Sequence, residues 1–207
     1  MATTRASILA RAVDLASVEG LGGLTIGRLA DSTSLSKSGL FAYFGSKEEL
    51  QLAVVEAAGE IFEREVVQAS VGFSPGLDRL VHLAGRWLSY MESVPLRGGC
   101  FFAAASLEVD DRPGRVRDRV AGLTLGWQDL LEAEAIRAVE DGTLERDTDP
   151  AQLAFEVHAF VQEANRSFQL HGDPEAFRRA ARAIRTAVAM RASEAGKGLL
   201  AAAVLPA

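Results

Sequence analysis

An all-α fold is predicted for this chain: a small N-terminal domain of three short helices, then a larger domain of long ones, about nine helices in all. Three observations predict it. Apolar residues recur at helical spacing, with no convincing alternating strand pattern and no internal repeat. Capping residues open the apolar segments and glycines close them. The first three segments are short and tightly connected, whereas the later ones are long.

The first helix, near 4–19, carries Ile8, Ala12, Leu15 and Ala16 on one face and stops at Gly20. Helices near 25–33 and 36–43 follow, with a turn at Thr33–Leu35. The fourth, near 46–70, opens on Ser46-Lys47-Glu48-Glu49, a capping box in which Ser46 and Glu49 reciprocate, and closes at Gly72. Ser74-Pro75 opens a fifth helix near 75–94, and Gly98-Gly99 leads into a sixth near 99–109 by close backbone packing. Asp110 and Asp111 precede Pro113 at the positive end of the seventh, near 113–141, which Gly142 closes. Asp149-Pro150 and Asp173-Pro174 open helices near 150–171 and 174–194, with Gly172 between them. The apolar tail 196–207 is expected to fray or lie on the surface. A division into residues 1–47, 48–195 and the tail follows from the helix lengths.

Bulk properties narrow the function. Apolar residues make up 48% of the 207, enough for a packed core, and no run reaches the roughly 18 apolar residues of a membrane span. Arg11 and Asp14 break any leader-like apolar run, so a cytoplasmic protein without membrane partners is expected. The single cysteine, Cys100, excludes an intrachain disulfide. Placed at a helix N-terminus, its thiol could have a lowered pKa and sense oxidants, or it could be a small buried hydrophobe. His82, His158 and His171 are scattered, and there is no Gly-rich phosphate loop or Ser/His/Asp arrangement. No enzyme, metal site or cofactor is expected. The net charge of −6 argues against nucleic acid, but residues 1–47 hold five Lys/Arg against three Asp/Glu, so the excess negative charge lies beyond them.

In the first domain, Ile26, Leu29 and Ala30 form one apolar stripe, and Leu35, Leu40 and Phe44 another. With the first helix they share one small core, the helix-turn-helix arrangement. Ser36, Lys37 and Ser38 are small donors and a cation at the front of its third helix, suited to a major groove. Tyr43 reaches a phosphate from the far end, and Thr25 and Lys47 stand at helix starts whose free N–H groups favour phosphate. Ser36 and Lys47 also fit plain roles as a cap and a solvated first-turn residue.

The run Leu35-Ser36-Lys37-Ser38-Gly39-Leu40-Phe41-Ala42-Tyr43-Phe44-Gly45-Ser46-Lys47-Glu48-Glu49-Leu50 resembles the signature of the tetracycline-repressor (TetR) family of transcriptional regulators. The resemblance is strongest over about residues 5–55. Ser34 replaces the family's common turn glycine, and Phe41 stands where tyrosine is frequent, removing one phosphate hydroxyl. The resemblance implies a repressor that binds a palindromic operator in double-stranded DNA as a homodimer and is released by a small effector. It also implies a second domain that encloses the effector and dimerises through its last two helices.

The residues of that domain are compatible with the implication. In 150–171, Leu153, Val157, Phe160, Val161, Ala164 and Phe168 form an apolar face, and Phe155, His158, Gln162, Asn165 and Gln169 an uncharged opposite arc. A helix of this kind is buried on two sides. Candidate dimer contacts are Val157, Val161 and Phe168 with Phe177, Ala181, Ile184 and Val188 of the last helix, although ordinary intrachain packing accounts for them equally. Pocket candidates for an apolar or aromatic effector are Trp87, Tyr90, Met91, Phe101, Phe102, Trp127, Phe155 and His158, each of which also fits plain core. A DNA-binding dimer with no small-molecule effector is the rival reading.

Overall fold

A computed structural model describes residues 5–33, 35–93 and 96–202. Among them the chain forms ten α-helices: α1 (Arg5–Gly23), α2 (Ile26–Ser32), α3 (Lys37–Phe44), α4 (Lys47–Phe62), α5 (Leu77–Ser93), α6 (Phe101–Val109), α7 (Arg115–Glu140), α8 (Pro150–His171), α9 (Glu175–Ala189) and α10 (Glu194–Ala202). The all-α expectation is met, and the described residues contain no strand, only one isolated bridge between Leu144 and Ala192. None of these helices is long and apolar enough to cross a membrane. Ser34, the turn position singled out above, and 203–207 of the tail lie outside the described residues.

Packing divides the chain into two compact units, one within 1–62 and 94–124, the other within 63–93 and 125–207. The sequence division after residue 47 follows the reading helix, but the unit containing α1–α3 also takes in α4, α6 and the start of α7. Its core explains why. Ile8, Ala12, Leu15 and Ala16 of α1 meet Leu29 of α2, Leu40 and Phe44 of α3, Leu50 and Val54 of α4, Phe101 and Ala105 of α6 and Val120 of α7, all buried. Three short helices leave apolar surface uncovered, and α4 and α6 cover it by packing against α1.

In the second unit α5 packs on α8, α9 and α10. Leu80, Leu83, Ala84 and Leu88 of α5, Leu131 and Ala135 of α7, Leu153 and Val157 of α8 and Ile184 of α9 are all buried. A fully buried carboxylate, Glu134, accepts the Gly76 N–H at 2.7 Å and is flanked by Arg137 at 2.5 Å and Arg79 at 3.5 Å. It supplies the acceptor at the start of α5 that Ser74-Pro75 was expected to provide.

Several local expectations are corrected. The fourth helix is not continuous to residue 70: α4 ends at Phe62 and a π turn (Glu63–Val67) and a 3-10 turn (Gln68–Ser70) follow. Gly20, Gly142 and Gly172 adopt positive φ as expected of closing glycines, but Gly72 does not. The Ser46 hydroxyl accepts the Glu49 N–H at 3.1 Å, yet Glu49 does not reciprocate. Its carboxylate turns to Arg115 at 2.5 Å, and the Ser46 N–H donates to the Phe44 carbonyl instead. The tail is not frayed over its described part. Residues 143–145 and 191–193 pair, Glu145 N–H to Arg191 carbonyl at 2.7 Å and Ser193 N–H to Thr143 carbonyl at 3.1 Å, which ends α9 and starts α10. Leu200 of α10 is then buried.

Candidate nucleic-acid interface

Helix α3 is eight residues long and owes its position to two side chains, Leu40 and Phe44, that anchor it in the core of the first unit. Ser36 caps it, the hydroxyl accepting the Gly39 N–H at 3.1 Å, and Ser38 Oγ lies 3.1 Å from Ser36 Oγ. Thr25 caps α2 in the same way, accepting the Arg28 N–H at 3.1 Å. Each hydroxyl therefore already serves as a cap acceptor, while the orphan N–H groups of the first helical turn remain available to an anion.

On α3, Ser38 and Ala42 lie away from the buried Leu40 and Phe44, with Phe41 on one flank and Tyr43 on the other. Ser36, Lys37, Ser38, Phe41, Ala42 and Tyr43 are all exposed. Lys37 makes no ion pair among the described residues, in contrast to Arg28, which forms a bidentate pair with Glu19, and Arg11, which pairs with Asp14 at 2.9 Å. Hydrogen bonding to Arg28 holds the Glu19 carboxyl below its ordinary value. The positive charges of this segment are thus unequal: Arg11 and Arg28 are neutralised locally, and Lys37 is presented on the helix that carries the serines and aromatic residues.

Lys47, expected at a phosphate, sits at the start of α4 and donates from Nζ to the Gly22 carbonyl at 2.6 Å, where it caps the end of α1. It borders a cleft of about 290 Å³ that Gly22, Gln51, Glu108 and Arg112 also line. Within it Glu108 of α6 accepts the N–H groups of Leu21, at 2.6 Å, and of Gly22. These N–H groups follow the break at Gly20, whose φ of 75° interrupts the helix. Nearby, Arg97 pairs with Asp14 at 3.1 Å, and burial, which raises the Asp14 pKa, is outweighed by this hydrogen bonding, so the carboxyl stays below its ordinary value. Gly98 packs so tightly on the Ser17 carbonyl that an added Cβ would overlap it, the close packing that Gly98-Gly99 led us to expect. Neither Glu108 nor Phe41 stood among the sequence candidates: Glu108 gives no local signal because its partners lie 86 and 87 residues away, while Phe41 was legible as a departure from the family pattern.

The proposed pocket residues do not form one set. Trp87 and Trp127 stand edge to face with centroids 5.1 Å apart, and His158 lies 5.3 Å from Trp87. Met91 is buried on the same helix as Trp87 and half-buried Tyr90. Phe101 and Phe102, by contrast, pack edge to face in the first unit's core, because α6 turns its apolar start toward α1. Phe155 is 65% exposed.

The seven candidate interface residues pack within the single chain. Val157, Val161, Phe177, Ala181, Ile184 and Val188 are buried within a single chain, and half-buried Phe168 packs on Phe177 at 5.2 Å. They hold α8 against α9. The outward stripe of α8 runs through exposed Phe155, Arg166 and Leu170, with Ala159 and Gln162 half-buried between them. Cys100 caps α6, but burial pushes its thiol up to about 11 despite backbone hydrogen bonds from Ala103 and Phe102. The lowered pKa that a sensor thiol needs is absent, because desolvation outweighs the helix terminus.

The comparisons agree with this geometry. Residues 8–54 match the family described as bacterial regulatory proteins, tetR family, and residues 76–184 match the tetracyclin repressor-like C-terminal domain. No curated protein matches the chain significantly. Among solved structures, a TetR transcriptional regulator from Chloroflexus aurantiacus is similar over 89% of this chain and 93% of its own, with 24% identity and a TM-score of 0.82. AibR, solved with isovaleryl coenzyme A and operator DNA, is similar over 89% and 96%, with 21% identity and a TM-score of 0.70. A CifR cysteine mutant solved with 26-bp operator DNA is similar over 91% and 97%, with 22% identity and a TM-score of 0.75.

Proposed function

We propose, from the premise that this chain belongs to the tetR family of bacterial regulatory proteins, that it is a repressor which binds a pseudo-palindromic operator as a homodimer and leaves it when a small effector binds. The observation that carries the DNA-binding part is α3 itself. A short capped helix, anchored by Leu40 and Phe44, offers Lys37 and Ser38 outward with no ion pair at Lys37 among the described residues. That is the surface a recognition helix needs: narrow, donor-rich and positively charged at one end.

Dimerisation through α8 and α9 is supported by the outward stripe of α8, where Phe155 is 65% and Leu170 68% exposed. The effector reading is supported by the aromatic group of buried Trp87 and Trp127 with half-buried His158, the composition that walls a site for an apolar or aromatic molecule. AibR, with its acyl coenzyme A and operator DNA, provides a precedent for both ligands on this fold. A cytoplasmic location follows from the proposed target.

The test is selection of duplexes from a randomised pool by the full-length protein, then a screen of apolar and aromatic small molecules for release of the selected duplex. The proposal expects an inverted-repeat site and at least one releasing compound. A protein that selects no sequence contradicts it. Selection that no compound reverses favours instead a DNA-binding dimer without a small-molecule effector.

A further inference from the structure

Phe41 has no use in the phosphate contacts assigned above. Its side chain is 57% exposed on a helix whose purpose, on the DNA-binding reading, is to enter a groove. It follows Lys37 by four residues and Ser38 by three on α3, and all three side chains are exposed, the Lys37 ammonium lying toward Gly27 of α2. Its other neighbours on that side, Ala42 and Gly45, are too small to cover the ring, and the space beside Gly45 is open for at least 4 Å. A phenyl group neither donates nor accepts a hydrogen bond, so a phosphate or a base-edge amide gives it nothing. The apolar feature of a major groove is the 5-methyl group of thymine.

We propose that Phe41 is a specificity-determining residue that packs on a thymine 5-methyl group at a fixed position in each half of the DNA site. The inference rests on the DNA-binding reading and adds to it the base that this side chain selects. Lys37 and Ser38 then hydrogen-bond neighbouring base edges or phosphates, while Phe41 supplies discrimination by apolar contact. The ring also excludes water from the contact it makes, which favours thymine over cytosine at that position because cytosine lacks the methyl group.

The experiment uses the full-length protein and a duplex it selects from a randomised pool. Each thymine is replaced singly by deoxyuridine, which removes the methyl group and leaves base pairing intact. For the wild type, one thymine in each half-site should weaken binding about four-fold when replaced, the factor expected for one methyl-sized group withdrawn from contact. Phe41→Ala should bind the all-thymine duplex more weakly and lose nothing further at that thymine. Its melting temperature should match the wild type, because the side chain is exposed. If Phe41→Ala retains the full deoxyuridine loss at every thymine, or if no thymine matters to the wild type, the assignment is overturned. A wild type that selects no sequence overturns the DNA-binding reading and this inference with it, an outcome distinct from selection without a methyl effect.

Discussion

Glu108 Oε2 accepts a hydrogen bond from the Leu21 N–H at 2.6 Å, and its second carboxylate oxygen accepts that of Gly22, so one side chain of α6 closes the broken end of α1. The carboxylate fits only because Gly22 has no side chain: an added Cβ would lie 2.5 Å from Oε1. Glu108→Ala should cost about 2 kcal/mol of stability, the scale of charge-assisted hydrogen bonds lost from partly buried donors. Gly22→Ala should displace the carboxylate and cost a similar amount. In a Glu108→Ala background, Gly22→Ala should cost almost nothing, because the group it displaces is gone. Denaturant melts of the four proteins measure the cycle, and additive losses would contradict the arrangement.

The positions of Ile184 and Phe155 predict opposite outcomes for two charged substitutions. Ile184 is 1% exposed and holds α9 on its own chain, so Ile184→Asp should lower stability by about 3 kcal/mol or more and leave little folded protein. Phe155→Asp should leave the fold intact and shift sedimentation from dimer to monomer. A folded Phe155→Asp dimer at micromolar concentration would rule out the outward stripe of α8 as the interface.

Burial holds His158 below its ordinary value of 6.5. Between that lower folded value and 6.5 the unfolded chain binds more protons than the folded one, so stability falls as pH drops through this window and is unaffected above it. Denaturation midpoints at pH 7.5 and 5.5 should differ more for the wild type than for His158→Gln. An identical pH dependence in the two proteins would contradict the burial of this imidazole.

The helices and the reading segment were legible because their signals are local. The Asp149 side chain accepts the Gln152 N–H at 3.1 Å with Pro150 following, as the dipeptide predicts, and Leu40 and Phe44 are buried at helical spacing. What the sequence concealed depends on partners distant in the chain. Glu49 abandons its capping box because Arg115 lies within reach, and α10 forms because residues 191–193 pair with 143–145. The interface candidates were ambiguous for a related reason: an apolar stripe on α8 reads the same whether it faces α9 of its own chain or of a second copy. The aromatic at 41 was visible in sequence, but only the fold shows that its ring is exposed and not part of the core that Leu40 and Phe44 enter.

The central claim is that α3 and the start of α4 hold DNA, and fluorescence anisotropy titrations at several salt concentrations test it most directly. Wild type, Lys37→Ala, Tyr43→Phe and Lys47→Ala are compared on the selected duplex, with folding checked for each. The Lys47 ammonium keeps two N–H donors beyond the one given to the Gly22 carbonyl, so Lys47→Ala should weaken binding nearly uniformly across sequences and reduce the salt slope by about one per subunit. Tyr43→Phe should weaken binding without changing sequence preference, and Lys37→Ala should weaken binding and change which sequence is preferred. If all three variants, still folded, bind with the affinity and salt slope of the wild type, this surface does not hold DNA and the account is wrong.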